Sequence, residues 1–219
     1  MAKVKVKKQS TFIDMTAMSD VTVLLLTFFM LTSTFLAKEP VQVVTPASVS
    51  EIKIPETNKL TMLIDKDGKL FMSMDNVNDM EETLRRVGAD YGITFTPAEL
   101  NKFKQLPSFG VPIAEMKNYL EMSGDQQNEF VKEYMTTDRV GIPTKGRETV
   151  DPETGKVTKD NEFRHWIQQA TAVNPDLLLA IKSDQTTPYP VVQDVMDNLR
   201  DLRKNRYLLI TSLKTASND

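Results

Sequence analysis

An uncharged stretch at residues 21–37, VTVLLLTFFMLTSTFLA, limits what this chain can become more than any other part of it. Nothing downstream is comparably apolar, so no protein core of matching character is on hand to bury it. A membrane helix needs about 20 mostly apolar residues. A helix over residues 15–37 is long enough to cross a hydrocarbon core of about 30 Å at about 1.5 Å per residue. A signal peptide shares the outline of KVKVKK followed by an apolar run. Cleavage after Ala37, however, would leave Phe35 at the −3 position, where a small residue is wanted, and an acidic residue heads the run. The expectation is an uncleaved span at 15–37, in contact with membrane lipid. Lys3, Lys5, Lys7 and Lys8 crowd the tail at 1–14, whereas the far side opens with Lys38 and Glu39. The basic excess predicts a cytoplasmic N-terminus. Residues after 37 then lie outside, in the periplasm of a cell with two membranes.

At the mouth of this span stands Asp20. A charged side chain well inside a membrane helix costs about 2.5–3.5 kcal/mol on insertion scales, and such residues usually face protein or water and carry ions. Desolvation favours the neutral form of a carboxylic acid, which lets it take up and release protons. Thr16 lies one turn before Asp20. Thr27 and Thr34 follow at seven-residue steps, nearly two turns each. The pattern draws a polar seam along one helix face. Two plainer readings stand beside it. Asp20 can be an interfacial residue or helix cap, and the threonines can bond carbonyls of their own helix.

Beyond the span, residues 38–59 read as an extended linker with Pro40 and Pro46. Apolar and polar residues alternate on either side of DKDG, predicting a hairpin of residues 60–64 and 69–74. Thr96, Pro97 and Glu99 spell a capped helix start, with helices to follow at 113–121 and 126–135. TVDPETGKVTKD predicts a small hairpin. Helix over 163–171, strand over 177–181, helix over 191–202 and strand over 207–212 complete the pattern. Residues 60–214 are therefore expected to form an α+β domain with a β-β-α-β-α-β core, one sheet with helices on one face, interrupted by a mostly helical insertion at 77–160. Residues 215–219 are a tail.

Other chemistries find little support. The formal charge is −3, which argues against nucleic acid as a partner. Cysteine is absent and histidine occurs once, at 165, so thiolate and His-rich metal sites are excluded. No cofactor or metal is expected. DKDG lacks the glutamate of a calcium loop. Glu81, Glu82, Arg85 and Arg86 read as a solvated helix face, and a lone histidine on a structural helix argues against an enzyme.

The string IDMTAMSDVTVLLLTFFMLTSTF resembles the membrane segment of the ExbD/TolR family, whose motif has the form I-D-M-T-P-hydrophobic-x-D-V. Ala17 stands where that family usually has proline. EIKIPETNKLTMLIDKDGKLFMSMDN resembles the family's short linear segment and hairpin, and residues 161–214 are similar to its C-terminal half. The resemblance implies that Asp20 is the proton carrier, within a seam of Thr16, Thr27 and Thr34. It also implies that Glu51, Ile52, Lys53, Ile54 and Pro55 bind a transducer or plug the channel. The implied partners are an ExbB/TolQ-like polytopic ring of five subunits around a homodimer of this chain, and a TonB-like transducer reaching the outer membrane. The alternative is a single-pass, membrane-anchored periplasmic binding or receptor module without ion transport.

Overall fold

The computed structural model describes residues 15–33, 43–48, 57–150 and 157–213. The chain divides into two units, residues 1–37 and 38–219. In the first, α1 (Met15–Thr32) is an uninterrupted α-helix. Ser33 still donates its amide to the Phe29 carbonyl (2.9 Å).

The second unit runs in the order β1 (Ala47–Ser48), β2 (Lys59–Ile64), β3 (Leu70–Met74), α2 (Val77–Asp90), α3 (Pro97–Phe103), α4 (Ile113–Glu121), α5 (Gly124–Tyr134), β4 (Arg147–Val150), β5 (Val157–Asp160), α6 (Glu162–Val173), β6 (Leu178–Ser183), α7 (Tyr189–Asp201), β7 (Tyr207–Leu209) and β8 (Ser212–Leu213). Four strands form a mixed sheet in the order β3-β2-β6-β7. β2 and β3 are antiparallel across the DKDG turn, where Gly68 takes a φ of 76° that suits glycine. The β2–β6 and β6–β7 pairs are parallel. The sheet and its helices agree with the α+β expectation.

Strand pairing aligns Leu60, Met62 and Ile64 with Leu70, Met72 and Met74 on one side and with Leu179 and Ile181 on the other. These side chains form one core with Met80, Leu84 and Val87 of α2, Phe163 and Ile167 of α6, and Val195 and Leu199 of α7. The other face of the sheet is not left open, for Leu63, Phe71 and Ala180 are buried as well. α2 shows how its sequence selects a face. Met80, Leu84 and Val87 recur at helical spacing and go inside. On the outer side Arg85 pairs with Glu81 (2.9 Å) and Glu82 (3.0 Å), and Arg86 with Glu82 (2.9 Å). Asn76 caps its start, accepting from the Asn78 amide at 3.0 Å. The capping box of α3 forms as the sequence foresees, with Thr96 and Glu99 exchanging bonds.

The inserted region does not stand apart. Phe109 exchanges both backbone bonds with Met72 (2.7 and 2.8 Å), and Ile142 donates to the Leu70 carbonyl (2.9 Å). Inserted residues thereby occupy the outer edge of β3, which would otherwise present unpaired amides. The contact demands glycine at 110, since a Cβ there would stand 2.1 Å from the Phe71 ring. Leu100, Phe103, Phe109, Met116, Leu120 and Phe130 belong to the same core as the sheet. The helices expected at 113–121 and 126–135 are present, the second shifted to Gly124–Tyr134. One strand differs from expectation. The stretch read as a single strand over 207–212 breaks after Leu209, and Ser212–Leu213 pairs instead with Ala47–Ser48 in a separate parallel pair. Extended backbone at β1 and β8 has no periodic pattern of its own, so only the pairing reveals it.

Candidate functional site

α1 is 18 residues long, about 27 Å at 1.5 Å per residue, with a mean hydropathy of 1.6. It is long and apolar enough to cross a membrane. None of its residues is buried. Val23, Leu24, Leu25, Phe28, Phe29 and Leu31 are all more than half exposed. Asp20 lies five residues from the helix start, about 7.5 Å along the axis. At about 100° per residue, Thr16 and Thr27 fall within about 40° of Asp20 around the helix. The structure thus brings Thr16, Asp20 and Thr27 to one face. Thr34 lies outside the described residues.

The Thr27 hydroxyl donates to the Leu24 carbonyl (2.9 Å), and Thr22 and Thr32 donate likewise to Met18 (2.7 Å) and Phe28 (2.8 Å). The helix therefore takes the hydroxyl protons, as the plainer reading foresees. Each oxygen keeps a lone pair toward its surroundings, so Thr27 can still accept from a water or a neighbouring side chain. On an otherwise greasy helix, the Asp20 carboxylate is the one formally charged group.

Glu51, Ile52, Lys53, Ile54 and Pro55 lie outside the described residues. The linker before them is described at 43–48, and there the rest of the second unit holds it. Val44 donates its amide to Asp184 Oδ2 (2.9 Å) and accepts from the Gln185 amide (2.9 Å). Val43 packs against the core. Asp184 follows β6 in a turn closed by Thr186, whose amide (2.9 Å) and hydroxyl (2.7 Å) both donate to Asp184 Oδ1. The Thr186 hydroxyl, then its amide and that of Val44, hold the Asp184 carboxyl below the usual carboxylate range. Sequence reasoning assigned Asp184 no role. The available signal was the run Asp184-Gln185-Thr186-Thr187, the composition of a turn in which an aspartate bonds the backbone two residues on.

This anchor carries a prediction. A carboxyl lowered in the folded state contributes above its unfolded value and loses that contribution as the pH falls through its folded value. Asp184→Ala is expected to speed hydrogen exchange at the Val44 amide roughly threefold to tenfold at neutral pH. The native chain should loosen at the same amide only on acidification below about pH 3.9. Unchanged exchange at Val44 in the variant would show that the carboxylate does not hold the linker.

Among the described residues no cluster of side chains suits a metal ion. The DKDG segment is a hairpin turn, with Gly68 donating to the Asp65 carbonyl (2.9 Å). His165 sits partly buried on α6 beside the buried Trp166.

Residues 7–97 match the family described as Biopolymer transport protein ExbD/TolR. The matched range takes in α1 with Asp20, the linker, the β2–β3 hairpin and α2, and so continues past residue 77, where the sequence reading opened the insertion. The similarity read at residues 161–214 falls beyond it. The comparison with curated proteins gives no match, and neither does the comparison with solved structures. Over residues 7–97, with Asp20 on its apolar helix, this chain is similar to the ExbD/TolR family of biopolymer transport proteins.

Proposed function

We propose that this chain is the ExbD-like subunit of an inner-membrane, proton-driven motor. The observation that carries the reading is the Asp20 carboxylate on a helix none of whose residues is buried. In lipid that charge costs about 2.5–3.5 kcal/mol, so the helix gains by placing Asp20 against protein or water rather than acyl chains. One helix cannot surround its own side chain, so the reading requires partners. A pair of these helices inside a ring of five ExbB/TolQ-like subunits supplies them. Protonation neutralises Asp20 and changes which ring surface it prefers, and alternating protonation of the two copies turns the pair. The four N-terminal lysines favour a cytoplasmic tail, and the second unit, as a homodimer in the periplasm, passes the motion to a TonB-like transducer. Glu51, Ile52, Lys53, Ile54 and Pro55 are the segment through which the transducer is engaged or the idle channel closed. The process energised is transport across the outer membrane.

The test is co-expression with an ExbB/TolQ-like polytopic protein, co-purification, and proton flux of the complex in liposomes under a pH gradient. A complex that conducts supports the reading. If no polytopic protein co-purifies and the liposomes hold their gradient, α1 is an anchor and the chain is a membrane-attached binding module.

A further inference from the structure

His165 is the sole histidine of the chain, and it stands where three elements meet. Its Nδ1 is 3.3 Å from Asp90 Oδ2, at the last residue of α2. Its Nε2 is 2.8 Å from Asp160 Oδ1, at the last residue of β5. The histidine itself belongs to α6. Gln169, one turn further along α6, also donates to Asp90 Oδ2 (2.8 Å). The Tyr91 ring meets the imidazole edge-on at 5.3 Å. The other ionisable groups facing this corner are Asp90, Asp160, Glu162 and Tyr91. Burial, with the nearby carboxylates of Glu162, Asp160 and Asp90, pushes the Tyr91 phenol up to about 12, so it stays neutral throughout the histidine range. Arg164 is engaged elsewhere, by Asp201 at 3.2 Å. Among the described residues neither Asp90 nor Asp160 is paired with a lysine or arginine.

A neutral imidazole has one N–H and can donate to only one of the two carboxylates. The other ring nitrogen would then turn a lone pair toward an anion. With both nitrogens protonated, both contacts become charge-assisted hydrogen bonds. The two carboxylates face different ring nitrogens, so a single metal ion cannot take the place of those protons. We propose that His165 is a proton-operated clamp, closed on Asp90 and Asp160 when the imidazole is charged and open when it is neutral. The end that opens is Asp160. Its side chain is 65% exposed and is readily rehydrated, whereas Asp90 keeps its bond from Gln169. Closing the clamp ties the end of β5 to the α2–α6 pair, and opening it releases that tie while the neighbouring Asn161 stays bonded to Thr144 and Asn198. The sign follows from the chemistry, because the tie to both carboxylates needs a proton on each ring nitrogen and so favours the acid side. The clamp is independent of Asp20 and of any ring partner.

The experiment uses the full chain in detergent micelles with ring-¹⁵N-labelled histidine, whose only signals come from His165. Protonation of both nitrogens is followed from pH 5 to pH 8. Backbone hydrogen exchange in Val157–Asp160, corrected for the intrinsic pH dependence of exchange, is measured on the same samples. Protection of these amides is expected to be roughly threefold to tenfold greater on the acid side, and to track the imidazolium signal. The dependence should vanish in His165→Gln and in Asp160→Asn. If His165→Gln fails to fold, the co-titration in the native chain and the Asp160→Asn profile decide. Protection that stays constant while the ring loses its proton, or an Asp160→Asn profile like that of the native chain, overturns the proposal.

Discussion

In liposomes carrying the assembled complex, Asp20→Asn is expected to lower gradient-driven proton flux at least about a hundredfold, the range lost with other positioned proton-transfer groups. Asparagine keeps the size and hydrogen-bonding capacity of the side chain but cannot carry a proton. Assembly should therefore survive while transport stops. Asp20→Glu, which restores a titratable carboxyl one methylene further out, should retain part of the flux. Thr27→Val tests the seam separately. The Thr27 hydroxyl proton already belongs to the Leu24 carbonyl, so this change removes only an acceptor and should cost much less than loss of Asp20. Should Asp20→Asn conduct like the native chain, Asp20 is an interfacial residue and the proton path lies elsewhere.

The largest loss of stability is expected from Trp166→Ala. Trp166 is 1% exposed. Its ring lies 4.8 Å from Phe109 and 6.3 Å from Phe103, so it joins two inserted aromatic side chains to α6. Its Nε1 donates to Glu162 Oε1 at 3.1 Å, and the same oxygen accepts from the Ile113 amide (2.9 Å). That carboxylate caps α4 from another helix, where Pro112 offers no side-chain cap of its own. Removing the indole leaves a large cavity and strips one donor from an acid whose pKa burial already raises. The cost should be about 3–5 kcal/mol, read as a lower denaturation midpoint by circular dichroism of the full chain. Trp166→Phe keeps most of the packing, removes only the donor, and should cost well under half as much. A loss below about 1 kcal/mol in Trp166→Ala would mean that the insertion is not anchored through this contact.

Local features of the sequence were legible because local chemistry decides them. The Thr96-Pro97-Glu99 start, the DKDG turn and the charged face of Glu81, Glu82, Arg85 and Arg86 each satisfy a rule that operates within a few residues. The same holds for α1, since apolar length and one misplaced carboxylate are properties of the string itself. Asp184 marks the limit of that reading. Its turn could be read, yet its second oxygen meets Val44, 140 positions away, and no local rule joins the two. Phe109 is similar. Nothing in SFG foretells that it will seal the edge of β3, because the edge comes into being only when the sheet assembles. His165 was legible as a residue on a helix and no further, since its two carboxylates come from elements 75 and 5 positions distant.

By itself, then, the sequence determined one apolar helix with a carboxylate near its start and an α+β unit with its central hairpin and most of its helices. The tertiary structure alone decided that the insertion shares the core of the sheet, that Asp184 anchors the linker, and that Asp90, Asp160 and His165 converge. The physical reason is common to all three. Hydrogen bonds and packing between distant residues depend on where the backbone brings them, and that position is a property of the whole fold.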